Sequence, residues 1–417
     1  MHLLCLILLL TGTAHAQRFP IQAGTGIRGF SGDGGPAAAA QLAVPSAVFV
    51  DIDGNITIAD TSNDRVRVIA PDGTIRTIAG IGERLSSGDG GPASAAALSS
   101  PTALFVDGGG NIYVAEWTGH RVRTITPTGV ITTVVGVGEH GFLGDGGLAS
   151  ESNIWSPTAL YIDGAKNTYI AEWGNHRIRE ISPDGLVSSL AGTGLPGFTG
   201  DGGPANGSRI NSPNGLFVDD TGAVFFSDLG NQRIRRIDPS GIIRTVAGTG
   251  DGGPATEAGI SNPSGLFIDG PGNLFFVDAG NDRIRRVNKD GIIETVAGGS
   301  TSANGPPLLP TDLRLEGPTS IFIDESGDLY LAEGSGHRVR RIPGIAEPTV
   351  LPGSQPKTSD FDGDAVVGFS DFLLFLEHFG RSADNAGFDD RFDLLEDGSI
   401  TFPDFLRFAR AFGSRTK

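Results

Sequence analysis

The stretch Pro45–Gly80 reads PSAVFVDIDGNITIADTSNDRVRVIAPDGTIRTIAG. Four short β-rich runs lie in it: Ala47–Val50, Ile56–Ala59, Arg65–Ile69 and Thr74–Ala79. Asp53-Gly54 and Asp72-Gly73 supply the turn chemistry between runs. Arg65, Val66, Arg67 and Val68 alternate charged and apolar, the period of a half-buried strand and not of a helix. The pattern returns from Pro101 as PTALFVDGGGNIYVAEWTGHRVRTITPTGVITTVVG, and again from Pro157, Pro213, Pro263 and Pro318, at spacings of 56, 56, 56, 50 and 55 residues.

Four strands recurring at this interval six times indicate a mainly β chain folded as a six-bladed β-propeller. The sixth copy stops at Arg341-Ile342-Pro343-Gly344, without a fourth strand. An unmatched run, Phe19-Pro20-Ile21-Gln22-Ala23-Gly24, resembles the fourth runs elsewhere, such as Ile243–Gly248. The N-terminal strand is therefore expected to complete the last blade and close the ring, leaving no open edge there.

The 417 residues include 64 glycines and 25 prolines, a composition of tight turns. Glycine clusters recur between copies: GDGG stands at Gly32–Gly35, Gly88–Gly91, Gly144–Gly147, Gly200–Gly203 and around Asp251–Gly253. Gly24, Gly26 and Gly29 also fit G-x-G-x-x-G, but no strand–helix–strand unit follows, so a dinucleotide cradle is not expected. Inter-blade turns are, with Pro36, Pro92, Pro204 and Pro254 starting short Ala-rich helical turns. A net charge of −17 disfavours nucleic acid and anionic membrane as partners.

The copies resemble NHL repeats, following D-x-x-G-N-x-Y-x-A-D/E-x-x-N-H-R-I-R most fully over Asp163–Arg179, where Lys166 takes the glycine's place. The resemblance implies a six-bladed propeller. In such a ring the first strand of each blade lines the channel. The residues after the six prolines are Ser46, Thr102, Thr158, Asn214, Ser264 and Thr319, all uncharged. Propeller lactonases and lyases, which the fold also resembles, hold metal there with carboxylates or histidines. No catalytic residue is therefore assigned. His120, His176 and His337 share one repeat position with Asp64, Gln232 and Asp282, as expected of a surface turn. The acids Asp60, Glu116, Glu172, Asp228, Asp278 and Glu333 recur with arginines and are expected to form intrablade ion pairs. Trp117, Trp155 and Trp173 are the ligand-binding candidates, set against packing between blades.

Residues 1–16 read as a signal peptide: an apolar run at 3–12, then Ala14-His15-Ala16. Cys5, the sole cysteine, falls inside it. The run is too short for a membrane span, so the chain is expected to be exported, whether secreted, periplasmic or at the cell surface. The propeller is assigned to 17–344 and a Pro-rich linker to 345–359. From 360 to 417 a calcium module is expected. Asp360, Asp362, Asp364 and Asp371 stand at positions 1, 3, 5 and 12 of a calcium loop, with the Val366 carbonyl at position 7. Hard oxygen donors at this spacing favour Ca²⁺. Ala365 stands where glycine is usual, at a cost of about 1 kcal/mol if its φ is positive. The helix FSDFLLFLEHFG returns as FPDFLRFARAFG, and a weaker loop offers Asp393, Asp397, Ser399 and Asp404, with Leu395 at a ligand position.

Two such loop–helix units resemble a dockerin. That resemblance implies docking onto a cohesin-like or other extracellular protein through Phe369-Ser370 and Phe402-Pro403; the usual basic pair is replaced by Leu376-Glu377. Together these features point to an exported, non-enzymatic binding or scaffold protein with a protein- or glycan-binding propeller. The alternative is a lactone- or glycan-directed hydrolase or lyase carrying the same tether.

Overall fold

The computed structural model describes residues 19–248, 255–300, 307–346, 361, 369–379 and 392. The chain divides into two compact units, Met1–Gly353 and Ser354–Lys417. In the first unit, six four-stranded antiparallel sheets form six blades. Blade 1 comprises Pro45–Val50, Ile56–Asp60, Arg65–Ile69 and Ile75–Ala79, paired in that order. These bounds lie within two residues of those read from the turns. Blades 2 to 5 repeat the scheme from Pro101, Pro157, Pro213 and Pro263.

Blade 6 contributes Pro318–Ile323, Leu329–Glu333 and Arg338–Ile342, and its fourth strand is Ile21–Ala23 from the N-terminus. Ile21 lies opposite Arg340 and Ala23 opposite Val339. Phe19 and Ala23 are buried there. The ring closes as expected. Inward-facing apolar residues such as Ile58, Val114, Ile170, Phe226, Phe276 and Leu331 are fully enclosed between adjacent sheets, each worth about 1.5–3 kcal/mol relative to exposure.

The glycine-rich connections are stitched to the blade that follows them. Gly34 N–H donates to Ile75 O (2.8 Å), and Ile75 N–H donates to Gly35 O (3.0 Å). Gly32 has φ +92°, and a Cβ there would meet Ala40 at 2.6 Å, so this bend requires glycine. The short turns that follow are 3-10 helices such as Ala37–Ala39 and Ala93–Ala95, and the prolines do not start them. Pro36 and Pro92 are extended residues just outside, bridged to Thr74 and Val130 of the next blade's outer hairpin. Proline tolerates that place because its fixed φ also suits extended chain. Pro254 lies outside the described residues.

The second unit is described through Phe361, α1 (Phe369–His378), Phe379 and Phe392. Phe375 is fully buried, stacked with Phe361 at 6.2 Å and tilted against Phe379 at 5.9 Å. Phe392 packs on Phe361 at 4.4 Å and lies parallel to His378 at 4.1 Å. The aromatic stripe thus builds a small core. Phe369, Ser370 and Asp371 occupy the first turn of α1. The loop residues Asp360, Asp362, Asp364 and Val366, the second loop (Asp393, Asp397, Ser399, Asp404), Phe402, Pro403, the leader 1–16 and most of the linker lie outside the described residues. Among the described residues α1 is the one α-helix, and no helix is long and apolar enough to cross a membrane.

Candidate functional site: the mouth of the propeller channel

Each first strand carries a register shift just after its proline, as between Pro45 and Ala47. Such a bulge re-aims a side chain. It lets both Ser46 and Phe49 turn toward the axis. The consequence is two concentric rings. In the outer one, near the mouth, each hydroxyl donates to a carbonyl of the next blade: Ser46 to Thr102 O (3.0 Å), Thr102 to Pro157 O (3.0 Å), Thr158 to Pro213 O (2.9 Å), Ser264 to Thr319 O (2.8 Å) and Thr319 to Pro45 O (3.1 Å). In blade 4, where Asn214 stands, Ser227 Oγ makes the bond to Ser264 O (2.5 Å). The uncharged ring expected from the sequence is present, and its hydroxyls are spent on holding blades together.

Deeper in the channel, Phe49, Phe105, Tyr161, Phe217, Phe267 and Phe322 close an aromatic girdle, each ring 4.5–5.6 Å from its neighbours. Each ring of the girdle packs against the ring of the blade on either side. Burial pushes the Tyr161 phenol well above its ordinary pKa, so it stays a neutral donor. The sequence carries a signal for this ring, an aromatic four residues after each proline.

The repeat position of His120, His176 and His337 is not an idle surface turn. All six residues there are left-handed: Asp64, His120, His176, Gln232, Asp282 and His337 have φ between +48° and +58°. Each side chain accepts the backbone N–H of the residue preceding the next blade's proline. The pairs are Ser100 to Asp64 (2.9 Å), Ser156 to His120 (3.2 Å), Ser212 to His176 (3.0 Å), Asn262 to Gln232 (2.6 Å), Gly317 to Asp282 (3.2 Å) and Val44 to His337 (3.2 Å). Asp, Gln and unprotonated His share one property, an acceptor at the right reach. Burial lowers the pKa of all three histidines, with His140 adding to the effect at His120 and Arg28 at His337.

The recurrent acids form ion pairs within blades. Arg67, Arg123, Arg179 and Arg235, all fully enclosed, reach Asp60 (3.5 Å), Glu116 (3.2 Å), Glu172 (3.3 Å) and Asp228 (3.2 Å); Arg285 reaches Asp278 (3.5 Å) and Arg340 reaches Glu333 (2.7 Å). Sequence reasoning missed a third partner. The aspartate of each of the four described GDGG runs folds over the buried arginine of its blade: Asp33 at 2.7 Å, Asp89 at 2.6 Å, Asp145 at 2.8 Å and Asp201 at 2.6 Å. GDGG is thus an aspartate held by a glycine bend above a buried arginine. Phe30, Phe142 and Phe198 also lie over Arg65, Arg177 and Arg233 at 3.6–3.8 Å. Burial pushes Glu116 and Glu172 up to about 7 and Asp60 to about 6, against the pull of their arginines. No group of three or more His, Cys, Asp or Glu among the described residues is placed to hold a metal ion.

Symmetry breaks at blades 2 and 3. Trp117 and Trp173 follow the second-strand acid, where the other blades carry Thr61, Leu229, Ala279 and Gly334. This position overhangs the next blade at the channel mouth, since Thr61 Oγ1 donates to Pro101 O (2.7 Å). Trp117 N–H donates to Ser100 O (3.0 Å) and Trp173 N–H to Ser156 O (3.1 Å), fixing both backbones. The two indoles meet edge to face, 6.4 Å apart at 81°. Trp155 lies against Gly174, where a Cβ would sit 2.4 Å from its ring, and contacts His140 at 5.3 Å. His140 meets His120 at 5.8 Å. Trp117, Trp155 and Trp173 keep 40%, 39% and 38% of their surface exposed. Beside Trp117, Thr118 Oγ1 shares hydrogen bonds with Ser99 (2.8 Å) and Ser100 (3.0 Å). The three tryptophans therefore share one face, with His140 as a member the sequence did not assign.

Residues 185–249 and 247–313 match the family model of the Teneurin NHL domain. The chain is 29% identical over 254 residues to Teneurin-1 of Mus musculus, which covers 53% of this chain and 9% of that protein. It therefore spans only a small part of the curated relatives it matches. An auxiliary nutrient binding protein from Bacteroides thetaiotaomicron superposes with a TM-score of 0.57 at 14% identity, over 78% of this chain and 75% of that one. A structural genomics protein of unknown function from the same organism gives 0.56 at 19% identity, over 78% and 74%. These structural likenesses share the fold alone. The chain carries a six-bladed β-propeller whose repeats resemble NHL repeats and of which residues 185–313 match an NHL-domain model.

Proposed function

We propose that the chain is an exported binding protein, with the channel-mouth face of blades 2 and 3 as its ligand surface and the C-terminal module as a calcium-dependent attachment. The observation that carries this reading is the break in symmetry. Six arginine–acid pairs and a hydroxyl ring repeat around the propeller as architecture, while three half-exposed tryptophans gather on one face. The fold alone would not identify a function. The buried acids are consumed by arginines and the ring hydroxyls by carbonyls, which favours binding over the hydrolase or lyase alternative.

Export rests on the apolar run at 3–12 and on a mature chain free of cysteine. In the C-terminal module Asp360, Asp362, Asp364, the Val366 carbonyl and Asp371 would hold Ca²⁺, which neutralises their mutual repulsion. The start of α1 at Phe369, position 10 of that loop, supports this assignment. The weaker loop (Asp393, Asp397, Ser399, Asp404) would bind less tightly. Phe369, Ser370, Phe402 and Pro403 would meet a cohesin-like or other extracellular protein.

The test uses the full chain. Calorimetric titration with calcium is expected to give one saturable site, lost in Asp362→Ala. A screen of lactones and glycosides is expected to show no turnover above buffer. Turnover abolished by Trp117→Ala would overturn the binding reading, and failure to bind millimolar calcium would overturn the attachment.

A further inference from the structure

We propose that the tryptophan face of blades 2 and 3 is a subsite for a neutral glycan built of pyranose rings. This rests on the binding reading and names its ligand class. Tryptophan is rarely fully buried, so the exposure of a single indole means little. Here three indoles remain open together, and two of them are held by backbone hydrogen bonds to the residues before Pro101 and Pro157. Gly174 leaves room for Trp155 beside the residue that follows Trp173, and Trp173 in turn meets Trp117 edge to face.

The carboxylates beside the two repeat-position indoles are withdrawn from this strip of indoles. Glu116 and Glu172, the nearest acids of these blades in sequence, are fully enclosed and paired with Arg123 and Arg179. Thr118 is exposed at the edge, its hydroxyl bonded to the buried hydroxyls of Ser99 and Ser100; Asp64, which accepts the Ser100 N–H, pairs with the exposed Arg84. A hydroxyl both donates and accepts, as does each hydroxyl of a sugar. The flat C–H face of a pyranose suits an indole face, and its rim of hydroxyls can bond the exposed Thr118. A peptide recognised by strand addition needs an open sheet edge. The strip is built from turns, which argues against that ligand. Anionic ligands are disfavoured by a chain of net charge −17.

The chain contains three tryptophans, all in the strip, so its intrinsic emission reports this site without background. The full chain is titrated with cellohexaose, mannohexaose and chitohexaose, with oligogalacturonate as the charged control. At least one neutral hexaose is expected to give a saturable emission change, and the anionic one none. Calorimetry should then show affinity weakened about tenfold or more by Trp117→Ala or Trp173→Ala. Gly174→Ala should weaken it too by displacing Trp155, with the circular dichroism of the β-sheet unchanged in every variant. If no neutral hexaose alters the emission, the sugar assignment is refuted. If a peptide pool does so instead, the sugar class falls while the binding reading stands. If the bound hexaose is cleaved, seen as new reducing ends, the subsite stands and the non-enzymatic reading falls.

Discussion

The side chain of His337 closes the ring. Its Nδ1 accepts the N–H of Val44, across the seam between blade 6 and blade 1. In His337→Ala the partly buried Val44 N–H loses its partner, which should cost about 1 kcal/mol, within the range for one hydrogen bond. His337→Gln should restore nearly all of it, because Gln232 makes the same bond in blade 4. Ala and Gln share the left-handed backbone penalty at this φ of +48°, so their difference isolates the acceptor. The histidines also set a pH dependence. His120, His176 and His337 have folded pKa values below 6.5. The unfolded chain then binds more protons as pH falls through 6.5, and their contribution to stability is lost on acidification. The groups facing them are His140 beside His120, and Arg28 and Glu316 beside His337. Glu116, Glu172 and Asp60, raised by burial, act oppositely, favouring the folded state as pH falls. The comparison must therefore be between the wild type and a triple His→Gln variant at His120, His176 and His337. Urea titrations from pH 8 to 5 should show the wild type losing stability relative to the variant. Equal losses for Gln and Ala at 337, or identical pH profiles, would refute the latch.

Three further outcomes follow from the same geometry. Val44, a β-branched residue at φ +53°, stands where other blades place Ser, Asn or Gly; Val44→Asn should stabilise by about 1 kcal/mol in urea. Arg123→Ala strands the enclosed Glu116 and should cost about 3–5 kcal/mol at pH 8. That loss should shrink below pH 7 as Glu116 takes a proton, which a urea series at two pH values would show. Deleting residues 19–24 removes the fourth strand of blade 6 and exposes its edge, so light scattering should show self-association that the intact chain lacks.

The fold was legible because each blade repeats the same local chemistry. The Asp-Gly turns, the Arg65–Val68 alternation and the unmatched Phe19–Gly24 run all carried it. The αL latch was harder to read, because Asp64, His120 and Gln232 look like arbitrary substitution until their common acceptor geometry is seen. The partnership of Asp33 with Arg67 spans 34 residues and joins a connection to a strand, so no local period announces it. The aromatic girdle was written plainly at Phe49, Phe105 and Tyr161, yet only closure of the ring brings those side chains together. The tryptophans stood out in sequence by breaking the repeat. Their union with His140 depended on how the connection between blades 2 and 3 folds.

The central claim is that the channel-mouth face of blades 2 and 3 is an open binding surface, and acrylamide quenching of tryptophan emission tests it most directly, without a known ligand. The account predicts a linear quenching plot for the full chain, as expected when all three indoles are accessible together. A fraction of emission resistant to acrylamide would mean that the strip is covered, and would contradict the claim.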